Sequence, residues 1–200
     1  MVMRKVLLAT FFALFCASAV AAEPSLAILQ RISAFVKSLG GYEAEFNVVA
    51  EGYHAQGRYE VAGDAYHIMV GDVEVYSDGK IRHEVDNVRK EVSVDNMNLE
   101  SNNILDNPTR CFDFVGADYL SELQSRSDGE VTIYLRHTND EIEGDIYLTV
   151  DEKSGQPKKI VYMLYDDKIE VQIIRLSPRK DSIPKFDSRK YKGYEMIDFR

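Results

Sequence analysis

The sequence predicts a mainly β (α+β) protein. We expect a single curved antiparallel sheet of about eleven strands, forming an unclosed half-barrel, with an N-terminal amphipathic helix and a mid-chain helical lid. Two observations carry the prediction of a sheet: short runs of alternating apolar and polar residues recur along the chain, and tight turns rich in Gly and Asp separate them. Strands joined by turns this tight pair as antiparallel neighbours.

The stretch 42–95 contains six of these runs in succession. Its strongest hairpin signal is Asp78-Gly79, because glycine takes the positive φ of a type I′ turn without a steric clash. Within the six runs, apolar residues share one face, which needs an apolar partner to cover it. We expect the opposite face to meet water, and it carries Glu43, Glu45, Arg58, Glu60, Glu74, Lys80, Arg82 and Glu84.

A helix precedes the first strand. Between Leu26 and Leu39 the apolar residues follow one another at spacings of three and four, which indicates an amphipathic helix. Ser25 is a candidate N-cap and Gly40 a candidate C-terminal stop. We expect the apolar side of this helix to lie on the apolar face of the sheet.

The alternation stops between residues 96 and 127. Asn107 followed by Pro108 has the pattern of an N-cap and a first helical residue, so we predict a second helical stretch there, interrupted at Gly116. The segment is rich in apolar residues. Two interpretations remain open: a moving lid across the sheet, or a connection that simply covers the core.

Four longer alternating runs follow between residues 131 and 173, and a short one, 195–199, ends the chain. Pro178 and Pro184 disfavour a central strand between them, so we predict a loop over 177–184. A sheet of about eleven strands is too wide to stay flat, and we expect it to curl into an incomplete barrel.

The first 22 residues resemble an export signal. Arg4 and Lys5 precede an apolar stretch, and the small residues that follow predict cleavage after Ala21 or Ala22. The alternative is a lipoprotein signal acylated at Cys16; Phe15 disfavours it, because a small residue is needed there. We therefore divide the chain into a cleaved signal peptide, 1–22, and one domain, 23–200.

Removal of the signal peptide changes the net charge from −9 to −11, because Arg4 and Lys5 leave with it. A chain this acidic is a poor candidate for binding nucleic acid or an anionic membrane surface. The remaining cysteine, Cys111, has no partner for an internal disulfide, so the fold must depend on its core.

No pattern indicates catalysis or metal binding. The four histidines, His54, His67, His83 and His137, lack the spacing of metal or hydrolytic motifs. The carboxylates lie mostly in turns and on outward faces, so no acid–base pair stands out. We expect no cofactor and no enzymatic activity.

Several short motifs, taken in order, resemble the LolA family of periplasmic outer-membrane lipoprotein carriers, and most closely its Bacteroidota members. The most specific is Val75–His83, which is similar to the family's Ser-Asp-Gly-Lys strand–turn–strand. Others are Gly57–Val61 in the second strand, Asn107-Pro108 before the mid-chain segment, Gly155–Ile160 before a late strand, and Tyr194–Arg200 at the end. The resemblance covers nearly the whole mature chain.

The resemblance implies a periplasmic carrier, a lipid-binding transport chaperone that hides lipoprotein acyl chains in an apolar cavity between the two membranes. Its implied partners are an inner-membrane release complex and an outer-membrane acceptor, and we expect a monomer that does not insert stably into a membrane. The alternative is a lipid-binding or lipoprotein-sensing regulatory module of the same fold. We expect the cavity to be lined by Phe46, Val48, Tyr59, Val61, Ile68, Val75, Val94, Ile133, Leu148, Ile160 and Tyr162, with Ile104, Leu105, Phe112 and Phe114 as lid.

Two positions depart from the family pattern. Gly63-Asp64 stands where proteobacterial carriers have an arginine and a proline implicated in closing the lid, and His83 stands where a tryptophan is common. The resemblance therefore does not imply how a lid would latch in this chain.

Overall fold

The computed structural model of the protein describes residues 24–99, 107–110, 112–116, 118–139, 144–165 and 167–200. The predicted signal peptide, the candidate lid residues Ile104 and Leu105, and Cys111 lie outside these ranges. The described chain contains one α-helix, one 3₁₀ turn and twelve strands. No helix in it has the length and apolar content needed to span a bilayer.

The elements follow one another in a simple order. Their bounds are α1 Pro24–Leu39, β1 Gly41–Ala50, β2 Tyr53–Ala62, β3 Ala65–Val70, β4 Val73–Ser77, β5 Ile81–Asp86, β6 Glu91–Asn96, β7 Tyr119–Ser127, β8 Glu130–His137, β9 Asp145–Asp151, β10 Pro157–Leu164, β11 Asp167–Arg179, the 3₁₀ turn Ser188–Tyr191 and β12 Glu195–Asp198.

All twelve strands belong to one open sheet, in the order β12-β6-β5-β4-β3-β2-β1-β11-β10-β9-β8-β7. The predicted mainly β fold with a single unclosed sheet is therefore confirmed. The prediction of about eleven strands is one short of the twelve found, and β12 pairs with β6 in parallel, so the sheet is not wholly antiparallel. The two edges of the sheet are β12 and β7.

The predicted N-terminal helix is present as α1. Gly40 ends it with a φ of +70°, and its N–H donates to the carbonyl of Lys37, as expected of a helix stop. The expected N-cap is wrong: Ser25 lies inside the helix, and its hydroxyl donates to the carbonyl of Ser121 on β7. The start of α1 is thereby tied to an edge of the sheet.

The predicted loop over 177–184 begins too early. Strand β11 continues through Pro178, which pairs with Tyr42 of β1. Strand β10 pairs with β11 only as far as Gln172, so β11 has a neighbour on one side alone at Pro178. A proline is tolerated there because its missing N–H faces no partner strand.

The predicted mid-chain helix is not found among the described residues. Asn107 instead begins a turn: its side-chain oxygen accepts from the N–H of Thr109, and its carbonyl accepts from the N–H of Arg110. The connection from β6 to β7 joins strands near opposite edges of the sheet. Phe112 and Phe114 of this connection are buried in the main core.

The apolar face changes sides between β4 and β5. We call the face that carries α1 the inner face; it includes Val75 of β4. Val75 pairs with Glu84 of β5, whereas Tyr76, on the outer face, pairs with His83. Arg82 and Glu84 therefore lie on the inner side, and the expectation that both share the outer face with the other charged residues is wrong.

Candidate functional site

The apolar inner face is the main candidate site. Three buried residues of α1, Ile28, Leu29 and Ile32, lie against it, and the more exposed Phe35 and Val36 pack beside them. Inward positions of eight strands, together with Met97, Phe112 and Phe114 of the β6–β7 connection, supply the rest of the cluster. The helix therefore covers the face because its apolar stripe meets the inward residues of the alternating strands.

Ten of the eleven predicted cavity residues belong to this cluster: Phe46, Val48, Tyr59, Val61, Ile68, Val75, Ile133, Leu148, Ile160 and Tyr162. The exception is Val94. It is buried, but it pairs with His83 and so lies on the outer face. The placement of Val94 with the inner set is wrong, because the apolar residues of β5 and β6 face the other way.

The inner face is filled in this structure. Tyr59, Ile133, Leu148 and Ile160 are each 0% exposed, so no space large enough for water adjoins them. We expected α1 on the apolar face together with an enclosed apolar cavity; the helix is there, but it packs directly on these inward side chains and leaves no cavity beside them. An apolar ligand could reach these side chains only if α1 or the β6–β7 connection moved.

Few polar contacts hold α1 to the sheet. Among the described residues they are the hydrogen bond from Ser25 Oγ to the Ser121 carbonyl at 3.2 Å, one between the two serine hydroxyls at 3.0 Å, and one from Arg31 to the carbonyl of Glu152. The remaining attachment is apolar contact, which is not directional.

The described part of the β6–β7 connection also covers the inner face. Tyr42 donates from its hydroxyl to the carbonyl of Pro108 at 2.9 Å, and the ring of Phe114 packs edge-on against Tyr119. Of the four predicted lid residues, Phe112 and Phe114 are therefore core residues here. The structure does not describe Ile104 and Leu105.

Two clefts lie outside the inner core. A cleft of about 640 Å³ follows β7 and is lined by Pro24, Ser25, Leu120, Ser121, Glu122, Leu123, Tyr134 and Arg136. A second, of about 490 Å³, lies on the outer face beneath residues 182–186, with Tyr76, Ile81 and His83 in its lining. None of the predicted cavity residues lines either cleft.

Glu60 is buried on the outer face, although the sequence pattern predicted that it would be exposed to solvent. Glu60 is 4% exposed and lies beneath Arg58 and Arg179. The Nη1 atom of Arg179 is 2.8 Å from Glu60 Oε1. Next to it is His67, with Nδ1 3.5 Å from Glu60 Oε2 and Nε2 3.9 Å from Glu74 Oε2. Outward positions in a strand are therefore not all solvent positions in this sheet.

His67 has unusual surroundings for an ionisable group. It is 6% exposed, its ring stacks on Tyr76, and neither ring nitrogen has a hydrogen-bond partner among the described residues. Burial lowers the pKa of His67 below its ordinary value of 6.5, and the two nearby carboxylates offset only part of this effect. The imidazole is consequently neutral at neutral pH.

Residues 180–194, which we call the C-terminal segment, cover this part of the outer face. Phe186 stacks on His83, with ring centroids 4.2 Å apart, and Tyr191 and Tyr194 pack onto the small cluster of Tyr76, Val85 and Val92. Sequence reasoning missed this second core. A signal for it was present in the aromatic residues near the end of the chain.

No protein-family model and no curated protein matches the chain. Solved structures do match. An uncharacterized conserved protein from Thermus thermophilus aligns with a TM-score of 0.53 at 8% identity, over 86% of this chain and 97% of that one. At this identity the likeness concerns the fold alone.

Two further solved structures align with lower TM-scores. The LolA superfamily protein NE2245 from Nitrosomonas europaea aligns with a TM-score of 0.41 at 10% identity, over 80% of this chain and 96% of that one. The Mycobacterium tuberculosis lipoprotein LppX aligns with a TM-score of 0.43 at 11% identity, over 80% and 97%. The open sheet with its N-terminal helix is also the architecture that the sequence resemblance implied.

The two positions that depart from the LolA pattern, Gly63-Asp64 and His83, lie in a turn and on the outer face. Gly63 lies in the β2–β3 turn with a φ of +60°, a conformation that suits glycine. His83 lies on the outer face under Phe186, away from α1. Membership of the LolA family, and placement among its Bacteroidota members, stay predictions from the sequence.

Proposed function

We propose that this protein is an exported carrier that binds the acyl chains of lipoproteins on its inner face and escorts them through the periplasm. The observation that carries the proposal is the nature of the cover. A continuous apolar face is covered by the amphipathic helix α1 and part of the β6–β7 connection, and α1 is held by apolar contacts and three polar ones among the described residues.

An acyl chain suits such a site because it can replace the apolar contacts that α1 makes with the strands. Each buried CH₂ group contributes about 0.8 kcal/mol, so a lipoprotein anchor with two or three long chains cannot cross water unprotected. When α1 moves off the face, apolar strand residues become available and the acyl chains cover them. Because both covers are apolar, the exchange requires no specific polar recognition.

The net negative charge of the mature chain supports a carrier that moves through the periplasm and does not stay bound to a membrane. The mature chain would have a net charge of −11, which favours solubility and disfavours adhesion to anionic lipid. The proposal includes an inner-membrane release complex that supplies the cargo and an outer-membrane acceptor that takes it. It also includes removal of residues 1–22 during export.

A release assay tests the proposal. Purified residues 23–200 are added to spheroplasts of the native host, and mass spectrometry identifies what leaves the membrane with the protein. We expect stoichiometric complexes with triacylated lipoproteins. Recovery of free lipids alone would replace lipoprotein escort with general lipid transport or sensing, and recovery of the empty protein would contradict both.

Photo-crosslinking then locates the acyl chains. A benzophenone amino acid replaces Ile169, which packs against the inner core, and a matched variant carries it at Ile174 of the same strand, which is 55% exposed. We expect crosslinks to acyl chains from position 169 and few from position 174. Equal crosslinking from both positions would contradict binding on the inner face.

A further inference from the structure

Strand β7 is a free edge of the sheet. It runs from Tyr119 to Ser127 and pairs only with β8 in the described chain. Edge strands of this length present unpaired N–H and C=O groups, which another extended chain can use. Most natural edges are shortened, bulged or covered. A bulge interrupts β7 after Leu123, and the regular stretch from Tyr119 to Leu123 stays open.

Hydrogen bonding identifies which groups face outward. The N–H of Thr138 donates to the carbonyl of Asp118 at 2.8 Å, so these two residues form a hydrogen-bonded pair between β7 and its neighbour. Because such pairs alternate along an antiparallel ladder, the backbone groups of Tyr119, Ser121 and Leu123 point away from β8. The hydrogen bond from Ser25 Oγ to the Ser121 carbonyl confirms this phase.

The outward N–H groups have no partner among the described residues, although from Tyr119 to Leu123 the strand pairs with β8 without interruption; a β-bulge breaks the register between Leu123 and Ser125. Ser121 and Leu123 line the cleft of about 640 Å³ that follows β7, and Tyr119 lies just before it. Ser25 contacts the carbonyl and the hydroxyl of Ser121 but no N–H group of β7, so the N–H groups of Tyr119, Ser121 and Leu123 remain available.

The cleft joins the two faces of the sheet. Leu123 packs against the inner core, whereas Leu120, on the other face of the same strand, is 53% exposed. Glu122 and Arg136 line the outer side, and neither has an ion pair in the described structure. A peptide that leaves the inner face near the start of α1 would therefore first meet the outward N–H groups of β7. It would then meet the charged side chains of Glu122 and Arg136.

We propose that the β7 edge binds an extended peptide as an additional strand, and that the peptide is the polypeptide segment directly following the acylated residue of the cargo. This proposal rests on the proposed function, since the acyl chains would occupy the inner face. The segment next to a lipid anchor must leave that face at its rim, and β7 offers backbone hydrogen bonds there that do not depend on cargo sequence.

Two synthetic probes separate this proposal from the carrier function. The first is tripalmitoyl-cysteine methyl ester, and the second is tripalmitoyl-cysteine extended by six residues of Ser, Ala and Thr. Binding of the ester tests the inner face alone. We expect the extended probe to bind about tenfold more tightly, the effect of two or three added hydrogen bonds. Equal affinities would overturn the peptide site and leave the carrier function intact.

A proline variant tests the outward N–H groups. Leu123→Pro removes one of them without breaking the ladder to β8, and Leu123→Ala is the matched control for the lost side chain. We expect the alanine variant to keep the roughly tenfold advantage of the extended probe over the ester, and the proline variant to lose most of it. Because the two probes are compared within each variant, an effect of the lost side chain on the inner face cancels. If the alanine variant loses the same advantage, the side chain and not the backbone is responsible, and the proposal fails.

Amide hydrogen exchange of the unchanged protein provides a second readout that needs no variant. We expect the extended probe, and not the ester, to protect the amides of Tyr119, Ser121 and Leu123. The amides of Leu120 and Glu122, already bonded to β8, should change little. Protection of the first three without any probe, together with dimer formation, would assign the edge to a second copy of the chain and overturn the proposal.

Discussion

On the inner face of the sheet, α1 lies over apolar side chains and is tied to the strands by three polar contacts among the described residues. On the outer face, the C-terminal segment is tied by a polar network. The hydroxyl of Tyr191 lies 2.9 Å from that of Tyr76 and donates toward Glu74, and Tyr194 donates to Asn87 at 3.0 Å.

The two covers differ in what could replace them. A helix attached by non-directional contacts can be exchanged for another apolar group at little cost beyond the lost area. A segment attached by buried hydrogen bonds leaves unsatisfied donors and acceptors when it departs. The inner cover is therefore suited to displacement, and the outer cover to permanence.

The largest expected effect is at the inner cover. Ile32 of α1 is 0% exposed, so Ile32→Ala should lower the free energy of unfolding by about 3 kcal/mol through lost burial and a residual cavity. Urea denaturation measures it. Gln30→Ala, on the exposed side of the same helix, is the control and should change stability by less than about 0.5 kcal/mol. Equal effects would mean that the helix does not depend on its apolar side.

The second effect concerns the packing beneath that cover. Gly57 of β2 lies opposite Phe46, and a Cβ at this glycine would overlap the phenylalanine ring. Gly57→Ala should cost about 2 kcal/mol by forcing the ring aside. Gly116→Ala, where a Cβ would meet nothing, is the control and should be close to neutral. A stable Gly57→Ala variant in urea denaturation would show that the inner core can repack.

A smaller effect should arise at the outer cover. Tyr191→Phe removes a hydroxyl that bonds to Tyr76 and Glu74, and should cost about 1 kcal/mol. Tyr53→Phe changes an exposed tyrosine and serves as the control. Hydrogen exchange at β12 should also speed up in the Tyr191 variant. If hydrogen exchange becomes faster at α1 instead, the inner and outer covers are coupled, and the contrast drawn between them is wrong.

The smallest effect is a pH dependence of the outer face. The pKa of His67 lies below 6.5 in the folded protein because the ring is buried, so above pH 6.5 both folded and unfolded chains have it neutral. As the pH falls below 6.5, the unfolded chain binds a proton that the folded one resists, and stability is lost.

Urea midpoints at pH 7.5, 6.5 and 5.5 measure this loss. His67→Gln should reduce the decrease between pH 6.5 and 5.5, because the titrating group is gone. His83, whose pKa is also lowered chiefly by burial, should account for part of the remaining slope. An unchanged slope in the Gln variant would show that His67 has the same proton affinity folded and unfolded.

The sequence allowed most of the fold to be predicted. Alternation located the strands, and the spacing from Leu26 to Leu39 located α1. Alternation does not say which face is inward after a turn, however. The β4–β5 hairpin pairs Ser77 with Arg82, and a turn one residue shorter would place His83 beside Val75 instead of Tyr76. Val94 was assigned to the wrong face for this reason.

The sequence identified which apolar residues form the candidate site, but not how the space beside them is filled. The ten inward residues were recognisable as an apolar set, but whether a helix fills the space beside them depends on tertiary packing. The buried position of Glu60 was likewise unpredictable, because its cover comes from Arg179, distant in sequence. The outward amides of Tyr119 and Leu123 follow from ladder phase, which residue types do not encode.

The parallel pairing of β12 with β6 has a consequence for synthesis. Strand β6 can find its second neighbour only after β12 has left the ribosome. Until then its outer edge is unpaired, and the outer cluster of Tyr76, Val85 and Val92 lacks Tyr191 and Tyr194. The nascent protein is therefore most prone to aggregation at this edge, and translation of β12 ends that exposure.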